Sequence, residues 1–319
     1  MTAPTTLDLF SGACGGWSLG LERAGFRTIA ACEIDPWRRR VYGANFPHAA
    51  LFADVAGLTA ARVLARTGRL PYLVAGSPPC QDISVANVRG RGLDGARSGN
   101  GFDQLLRIVG ECRPRWVAVE NSPGLRTRGG DRVLAGLEAL AYAPTPLVVG
   151  AWHAGHLHRR QRVWILAYTD EPNADAARAG AAGFGPSGGW LQLPQTHARA
   201  GHPADAHEIR DRRRRHRAER GEEAGRQPAE PVRVAADEWG DRERFGSHQL
   251  FPQDPPWIDA GTRVGRSLRD LDGISGRLAR QFCSAFGDAV VPQISEAIGR
   301  SILRTEIALA AGADRRIAA

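Results

Sequence analysis

Short apolar runs alternate with amphipathic stretches of helical length through the first half of the chain. Runs rich in Leu, Val, Ile and Ala predict strands buried on both faces, because strands covered by helices are apolar throughout. The predicted strands lie at residues 5–10, 28–32, 49–53, 72–75 and 115–119. Helical patterns separate them, at 17–24 and 102–111 among others. This alternation predicts an α/β fold, Rossmann-like, with a mostly parallel sheet and helices on both faces.

Two further apolar runs, at 145–152 and 162–168, predict a hairpin that closes the sheet. The pattern then changes between residues 170 and 262, where an Arg- and Glu-rich stretch has little apolar periodicity. Such a composition predicts a solvated helix or disorder. Beyond it, a helix is predicted at 277–286 and a last helix with Pro292 in its first turn. We therefore expect three parts: a large domain at 1–169, a small, partly disordered region at 170–262 and a C-terminal segment at 263–319.

The composition is that of a soluble globular protein, with 43% hydrophobic and 24% charged residues among 319. No apolar run approaches the ~20 residues that a membrane span needs, and residues 1–4 lead into the first strand without a basic or apolar leader. We therefore expect a cytoplasmic protein. The five cysteines are odd in number and lack metal-like pairing, which argues against a disulfide framework and predicts no metal site.

The formal net charge is +8, and the sequence contains no lysine, so every one of its 42 basic residues is arginine. The planar guanidinium suits phosphate and guanine contacts, and a basic protein can hold a polyanion in a salt-sensitive way. The codon bias of a GC-rich genome explains the same composition. Both interpretations stay open.

An apolar run that ends in two prolines and a cysteine carries the strongest chemical signal. Pro78 and Pro79 end the strand, because proline lacks a backbone N–H and has a fixed φ, and they present Cys80 rigidly at the strand's carboxyl end. Ligands bind at that edge of an open parallel sheet, and a thiol is the most nearly ionised nucleophile at neutral pH. Cys80 is therefore a candidate nucleophile. The alternative is a buried free cysteine without chemical function.

Other polar or flexible residues also follow predicted strands. A turn with Gly12, Gly15 and Gly16 comes between the first strand and a helix, an arrangement that lets the backbone approach a ligand. Glu33 ends the second strand, and a carboxylate about 20 residues after such a turn can accept ribose hydroxyls. A helix cap is the alternative for an acid here, and it suits Asp35 better than Glu33.

Five motifs occur in the order found in one enzyme family. They are Asp8-Leu9-Phe10-Ser11-Gly12 with Gly15-Gly16, Pro78-Pro79-Cys80-Gln81, Glu120-Asn121, His158-Arg159-Arg160-Gln161-Arg162 and Gly287-Asp288-Ala289-Val290-Val291-Pro292. Together they resemble the cytosine-C5 DNA methyltransferases, S-adenosylmethionine-dependent enzymes of restriction-modification systems and phages. The resemblance covers residues 5–168 and 273–303. It implies that a variable target-recognition region fills the gap and that the C-terminal segment returns to complete the cofactor pocket.

The resemblance implies a role for individual residues. Cys80 would be the nucleophile, Glu120 would contact N3 and the exocyclic amine of the target cytosine, and Arg160 and Arg162 would favour the thiolate. The residues implied for S-adenosylmethionine are Phe10, Gly12, Gly15, Gly16, Glu33, Ile34, Asp54, Ser77, Pro79, Asp288 and Ala289. The residues implied for the DNA substrate are Gln81, Ser84 and Asn121.

In this family the thiolate adds to C6 of a cytosine flipped out of the duplex, C5 takes the methyl group, and loss of the C5 proton expels the cysteine. A free cysteine with a pKa of about 8.5 is only slightly ionised at pH 7, so a positive neighbour is expected beside Cys80. The pKa of Glu120 is expected to be raised, so that it can stabilise charge on the ring nitrogen. The Gly/Arg-rich segment 81–101 is expected to be a mobile loop that closes over DNA, or else an ordinary surface loop.

The implied partners are double-stranded DNA and a cognate restriction endonuclease, and the expected state is a monomer. Three departures from the family pattern are an extra residue in the first Gly-rich loop, Ser122 in place of Val and Asp288 in place of Asn. They leave open a catalytically inactive DNA-binding relative. A tRNA cytosine-C5 methyltransferase usually lacks a long variable segment, and a nucleotide-dependent oxidoreductase does not require the Pro-Pro-Cys-Gln motif.

Overall fold

A seven-stranded sheet forms the centre of this computed structural model, which describes residues 3–84, 87, 89–156, 159–177, 281 and 284–317. The strands are β1 (Thr5–Leu9), β2 (Arg27–Cys32), β3 (Ala50–Phe52), β4 (Leu73–Gly76), β5 (Trp116–Asn121), β6 (Ala143–Val149) and β7 (Arg162–Tyr168). Their order is β3-β2-β1-β4-β5-β7-β6. Strands β1 to β5 are parallel, whereas β7 is antiparallel to β5 and β6. The mostly parallel α/β sheet predicted from the sequence is confirmed.

Helices cover both faces of the sheet. They are α1 (Gly16–Arg23), α2 (Pro36–Asn45), α3 (Ala60–Thr67), α4 (Ala96–Cys112), α5 (Gly130–Ala139) and α6 (Pro292–Ile317). One apolar core holds side chains of α3, α4 and α5, and a second holds side chains of α1 and α6. Successive residues of β4 divide between them, because strand side chains alternate: Val74 joins the first core, and Leu73 and Ala75 join the second.

The predicted closing hairpin is confirmed, with β6 at the edge and β7 between β6 and β5. Its register places Glu120 opposite Trp164 and Asn121 opposite Val163. Since β7 is antiparallel to β5, it begins at the edge where the parallel strands end. Arg162, the first residue of β7, therefore comes to the same edge as Glu120.

Helix α4 begins earlier than the sequence predicts. The glycine-rich composition predicts a loop at 81–101 and a helix at 102–111, whereas α4 starts at Ala96. Gly99 and Gly101 both lie inside the helix. The loop prediction is therefore wrong for the end of this segment.

Two of the three glycines of α4 are required by close packing. A Cβ at Gly99 would lie 2.2 Å from the carbonyl oxygen of Leu93, and a Cβ at Gly101 would lie 2.6 Å from Cδ of Pro79. Neither position has room for a side chain. The second contact seats α4 against the prolines that precede Cys80.

The C-terminal segment packs beside the first Gly-rich turn, as expected. Pro292 begins α6, and the first turns of that helix contact α1 so closely that a Cβ at Gly20 would lie 2.3 Å from the carbonyl oxygen of Pro292. The Ser295 hydroxyl donates to the Gly16 carbonyl at 2.7 Å. The helix thus holds the start of α1 from one side.

Residues 170–177 pack on the large domain, where the Asn173 side-chain amide donates to the Pro71 carbonyl at 3.2 Å. The rest of the variable region, 178–262, and most of the helix predicted at 277–286 lie outside the described residues. Among the helices that are described, none is long and apolar enough to cross a membrane.

Replacing Gly20 with Ala is expected to destabilise the protein by about 1–3 kcal/mol, because the added methyl group overpacks the contact between α1 and α6. Gly110→Ala in α4 is the control. A Cβ there would meet only the end of the Leu140 side chain, at 3.3 Å, and alanine is the better helix former. Urea unfolding followed by circular dichroism measures both free energies. Wild-type stability of Gly20→Ala would contradict the described packing.

Candidate active site

The loops that leave the parallel strands meet along the carboxyl edge of the sheet. The Ser11 N–H donates to the Cys32 carbonyl at 3.1 Å, which joins the loops after β1 and β2. The Ser77 N–H donates to the Leu9 carbonyl at 3.3 Å, which joins the loop after β4 to β1. The Gly-rich turn, the acid after β2 and the cysteine loop are therefore neighbours, as expected for ligand-binding loops at the carboxyl ends of parallel strands.

Cys80 lies in a tight turn just beyond β4. Its carbonyl accepts the backbone N–H groups of Ile83 at 3.0 Å and Ser84 at 2.8 Å. The Asn121 side-chain amide donates to the Pro78 carbonyl at 2.9 Å and ties this loop to the end of β5. The Cys80 thiol is half-buried, whereas the cysteines of β2 and α4 are buried. Its position suits a nucleophile better than a core cysteine.

Glu120 is buried at the end of β5, with 5% of its surface exposed. Arg162 Nε lies 3.0 Å from Glu120 Oε1, and the Ser77 side chain hydrogen-bonds the same carboxyl. Burial raises the pKa of Glu120, and the charge of Arg162 and the Ser77 hydrogen bond oppose that rise. The raised pKa expected from the sequence is confirmed, so this carboxyl keeps its proton to a higher pH than an exposed glutamate.

The pKa of the Cys80 thiol is raised as well. Burial is the largest cause, followed by the negative charges of Asp288 and Glu120. Arg162 lowers the pKa of Cys80, as expected for a positive neighbour. The balance of these effects favours the thiol over the thiolate in the free protein.

Arg160 turns toward the C-terminal segment. Its Nη2 donates to the carbonyl oxygens of Gly287 at 2.6 Å and Ala289 at 2.5 Å. Its backbone has a φ of 36°, a left-handed conformation that is uncommon outside glycine. Through these contacts, Arg160 binds the C-terminal segment. Its predicted effect on the ionisation of Cys80 stays a prediction.

The acid after β2 already accepts two hydrogen bonds from the protein. Gly12, with a φ of 66°, donates its N–H to Glu33 Oε2 at 2.9 Å, and the Asp35 N–H donates to Oε1 at 2.8 Å. Asp35 is the cap of α2, because its Oδ1 accepts the N–H groups of Trp37 and Arg38. A carboxylate has about four acceptor sites, so Glu33 retains capacity for ribose hydroxyls.

Steric contacts fix the rest of the Gly-rich turn. Gly15 has a φ of 54°, and a Cβ there would lie 2.4 Å from Cε2 of Phe46. A Cβ at Gly16 would lie 2.2 Å from the Val290 carbonyl oxygen. Phe10, at the start of the turn, has a φ of 58° and packs partly buried against the core. A side chain is excluded at both glycines.

The outer residues implied for the cofactor are more open. Ile34 is 72% exposed, and Asp54 is exposed with its Oδ1 accepting the Ala56 N–H at 2.9 Å. Asp288 Oδ2 lies 2.7 Å from Nη2 of Arg38. Asp288, which stands where the resembled family usually has Asn, therefore forms an ion pair with Arg38.

The residues implied for the substrate are partly used within the protein. Gln81 is exposed, and its carbonyl accepts the Asn87 side-chain amide at 2.8 Å. The Ser84 carbonyl accepts from Arg128 Nη1 at 3.1 Å. Asn121 is 2% exposed and holds the Pro78 loop, so its described contacts position the loop. Substrate contact by these three residues stays a prediction.

Sequence reasoning did not identify Trp17 as part of the site. Its Nε1 donates to Ser77 Oγ at 3.1 Å, and Ser77 in turn contacts Glu120. The one available signal is that a buried indole N–H needs an acceptor. His158 and residues 85, 86 and 88 lie outside the described part. Within the described ranges, no group of three or more His, Cys, Asp or Glu could hold a metal ion.

Comparison with known proteins gives consistent matches to one family. The sequence model of the family described as C-5 cytosine-specific DNA methylase matches residues 5–213. The chain is 35% identical over 175 residues to the Type II methyltransferase M.HgiDI of Herpetosiphon aurantiacus, covering 54% of each chain. It is 34% identical over 172 residues to the Type II methyltransferase M1.HphI of Haemophilus parahaemolyticus, covering 52% of this chain and 46% of that one. The chain therefore spans about half the length of these relatives.

Two substitutions are expected to move the pKa of Cys80 in opposite directions. Arg162→Gln removes the charge that lowers this pKa and should raise it further, whereas Asp288→Asn removes a charge that raises it and should lower it. The pH dependence of iodoacetamide alkylation, followed by mass spectrometry of the Cys80 peptide, measures both shifts.

Cys14 is the internal control for the first variant. The charges that lower its pKa are those of Arg38 and Arg160, so its alkylation profile should not follow the Arg162→Gln substitution. Alkylation of Cys80 at unchanged pH in both variants would contradict the described electrostatics.

Proposed function

Because the chain belongs to the C-5 cytosine-specific DNA methylase family, we propose that it transfers a methyl group from S-adenosylmethionine to C5 of a cytosine in duplex DNA. The observation that carries the proposal is that a half-buried thiol, Cys80, and a buried acid with a raised pKa, Glu120, lie at the sheet edge beside a Gly-rich turn. The charge of Glu120 raises the pKa of Cys80, which supports the action of both groups on one ring.

The residues around the Gly-rich turn fit S-adenosylmethionine. Glu33 has acceptor capacity for the ribose, and Asp54 is open at the end of the neighbouring strand. The Ser11 hydroxyl is buried with no partner among the described residues, so it is a polar atom that a ligand can satisfy. When bound, S-adenosylmethionine supplies a methyl group on a positively charged sulfur, an electrophile for C5.

Cys80 begins the chemistry in this proposal. Its thiolate forms a bond with C6 of the cytosine, the C5–C6 double bond opens, and the electron pair makes C5 nucleophilic. Glu120 hydrogen-bonds the ring at N3, where negative charge develops, and its raised pKa favours the protonated form that can donate. After methylation, loss of the C5 proton re-forms the double bond and expels the thiolate of Cys80.

The cytosine must leave the duplex to reach Cys80. Flipping costs a few kcal/mol, and contacts to the Watson–Crick edge in the pocket offset this cost. A net charge of +8 supports binding to the phosphate backbone, which fixes register without reading sequence. We assign sequence reading to the region 170–262.

The names of the relatives support a bacterial restriction-modification setting, since both are Type II methyltransferases of bacteria. In that setting the protein would act in the cytoplasm on genomic DNA, as a monomer, and protect sites that a cognate endonuclease cuts. Bisulfite sequencing of DNA from bacteria that express the protein would identify both the activity and the methylated motif.

A covalent adduct with DNA that contains 5-fluorocytosine tests the mechanism, because fluorine at C5 blocks release of the cysteine. With S-adenosylmethionine present, the wild-type protein should form an adduct that survives denaturing electrophoresis, and Cys80→Ala should form none. Glu120→Gln should slow adduct formation by about 10²–10³-fold.

Cys112→Ala is the control, since this thiol is buried at the far end of α4 and should not affect the adduct. An adduct that persists in Cys80→Ala would remove this thiol from the mechanism. Modification of tRNA instead of duplex DNA by the same preparation would favour the tRNA methyltransferase alternative, and DNA binding without an adduct would favour an inactive relative.

A further inference from the structure

One hydrogen-bond chain connects the helix after the Gly-rich turn to the acid of the site. Trp17, in the first turn of α1, is 1% exposed. Its Nε1 donates to Ser77 Oγ at 3.1 Å. A buried indole N–H is costly without an acceptor, so this bond fixes both the indole and the hydroxyl that accepts from it.

The bond from Trp17 restricts what the Ser77 hydroxyl can do. A hydroxyl has one proton to donate and two lone pairs that accept. One lone pair receives the Trp17 N–H. Gly76 of β4 pairs with Val119 of β5, so Ser77 lies beside Glu120, and its side chain hydrogen-bonds the Glu120 carboxyl. When Glu120 is ionised, its carboxylate can only accept, so the Ser77 proton then points to Glu120. The backbone of Ser77 is held as well, by its N–H bond to Leu9.

We propose that Trp17 is a positioning residue that acts through Ser77 on Glu120. The indole N–H orients the serine hydroxyl, and the hydroxyl donates to the Glu120 carboxyl group when that group is ionised, which limits how far burial raises its pKa. The family resemblance assigns Ser77 to the cofactor. In this proposal its side chain also connects α1 to β5 through hydrogen bonds to Trp17 and Glu120. The use of Glu120 in catalysis rests on the proposed function, whereas the link itself is a property of the free protein.

The chain of contacts has a measurable electrostatic consequence. The Ser77 hydrogen bond lowers the pKa of Glu120 and opposes the effect of burial, as do the charges of Arg162 and Arg160. The charge of the same carboxyl also raises the pKa of Cys80 above the usual value of a cysteine. Loss of the Ser77 bond should therefore raise the pKa of Glu120, because a hydrogen bond to the charged form is removed.

A second tryptophan in the same apolar core separates positioning from packing. Trp164 is also fully buried, and its ring meets that of Trp17 edge to face with centroids 5.3 Å apart. Its Nε1 donates to the Val149 carbonyl at 3.2 Å and not to the site. The two indoles thus differ in what their N–H groups reach. Trp164→Phe is therefore a matched control for Trp17→Phe.

The test is a titration of Glu120 by carbon-13 NMR of glutamate side-chain carboxyls in the protein without DNA or cofactor. Glu120→Gln identifies the signal by its loss. Ser77→Ala should raise the measured pKa, Trp17→Phe should raise it by no more than Ser77→Ala does, and the double variant should match Ser77→Ala. Trp164→Phe should not raise it, because a smaller ring opposite Glu120 can only reduce the burial that raises this pKa.

Replacement of Trp17 by 3-benzothienylalanine, introduced by suppression of a stop codon, keeps the ring volume and deletes only the N–H group. It therefore reports on the same bond if Trp17→Phe does not fold. An unchanged pKa in this variant, or an equal rise in Trp164→Phe, would overturn the proposal. The titration involves no methyl transfer, so its result is independent of the adduct experiment. If the titration supports the link from Trp17 to Glu120 and the adduct experiment supports the proposed function, the acid limb of the pH profile of adduct formation should also move to higher pH in Trp17→Phe.

Discussion

Burial of the Glu120 carboxyl at the edge of the sheet is the constraint on which the site depends. A carboxylate that leaves water must be paired or hydrogen-bonded, and Arg162 and Ser77 meet that requirement. Arg162 reaches Glu120 because β7 is antiparallel to β5 and begins where β5 ends. Ser77 reaches it because β4 lies on the other side of β5. The order of the strands therefore sets the electrostatics of the acid, because the position of β7 between β5 and β6 places Arg162 beside Glu120.

The C-terminal segment affects the ionisation of Cys80 in the direction opposite to Arg162. It comes back to the first Gly-rich turn, where Arg160 binds two of its carbonyl oxygens and Arg38 pairs with Asp288. This arrangement brings the Asp288 charge close enough to raise the pKa of Cys80. The Arg38 ion pair offsets part of that charge, although its side chains are 22% and 48% exposed and the pair is screened by water. The return of the C-terminal segment to the Gly-rich turn thus makes the free thiol of Cys80 harder to ionise.

Local signals in the sequence predicted most of the described fold. Apolar runs marked the strands, Asp35 before a proline marked the start of α2, and Pro292 marked the start of α6. These features act within a few residues of the chain, so the sequence alone suffices. The start of α4 was predicted wrongly because glycine favours loops locally, whereas Gly99 is needed where the helix meets Leu93. That contact exists only after the chain has folded.

The order of residues along the chain specifies which chemical groups the site contains: a cysteine presented by two prolines, an acid at the end of a strand and a Gly-rich turn that leads into a helix. It also determined that these groups share one edge, because parallel strands end on the same side of a sheet. The pKa values and hydrogen-bond partners of these groups depend on how the chain folds. The raised pKa of Cys80, the turn of Arg160 toward residues 287 and 289, and the link from Trp17 to Glu120 all join segments far apart in sequence. Burial and charge act through space, so their balance is fixed by packing rather than by any local pattern of residues.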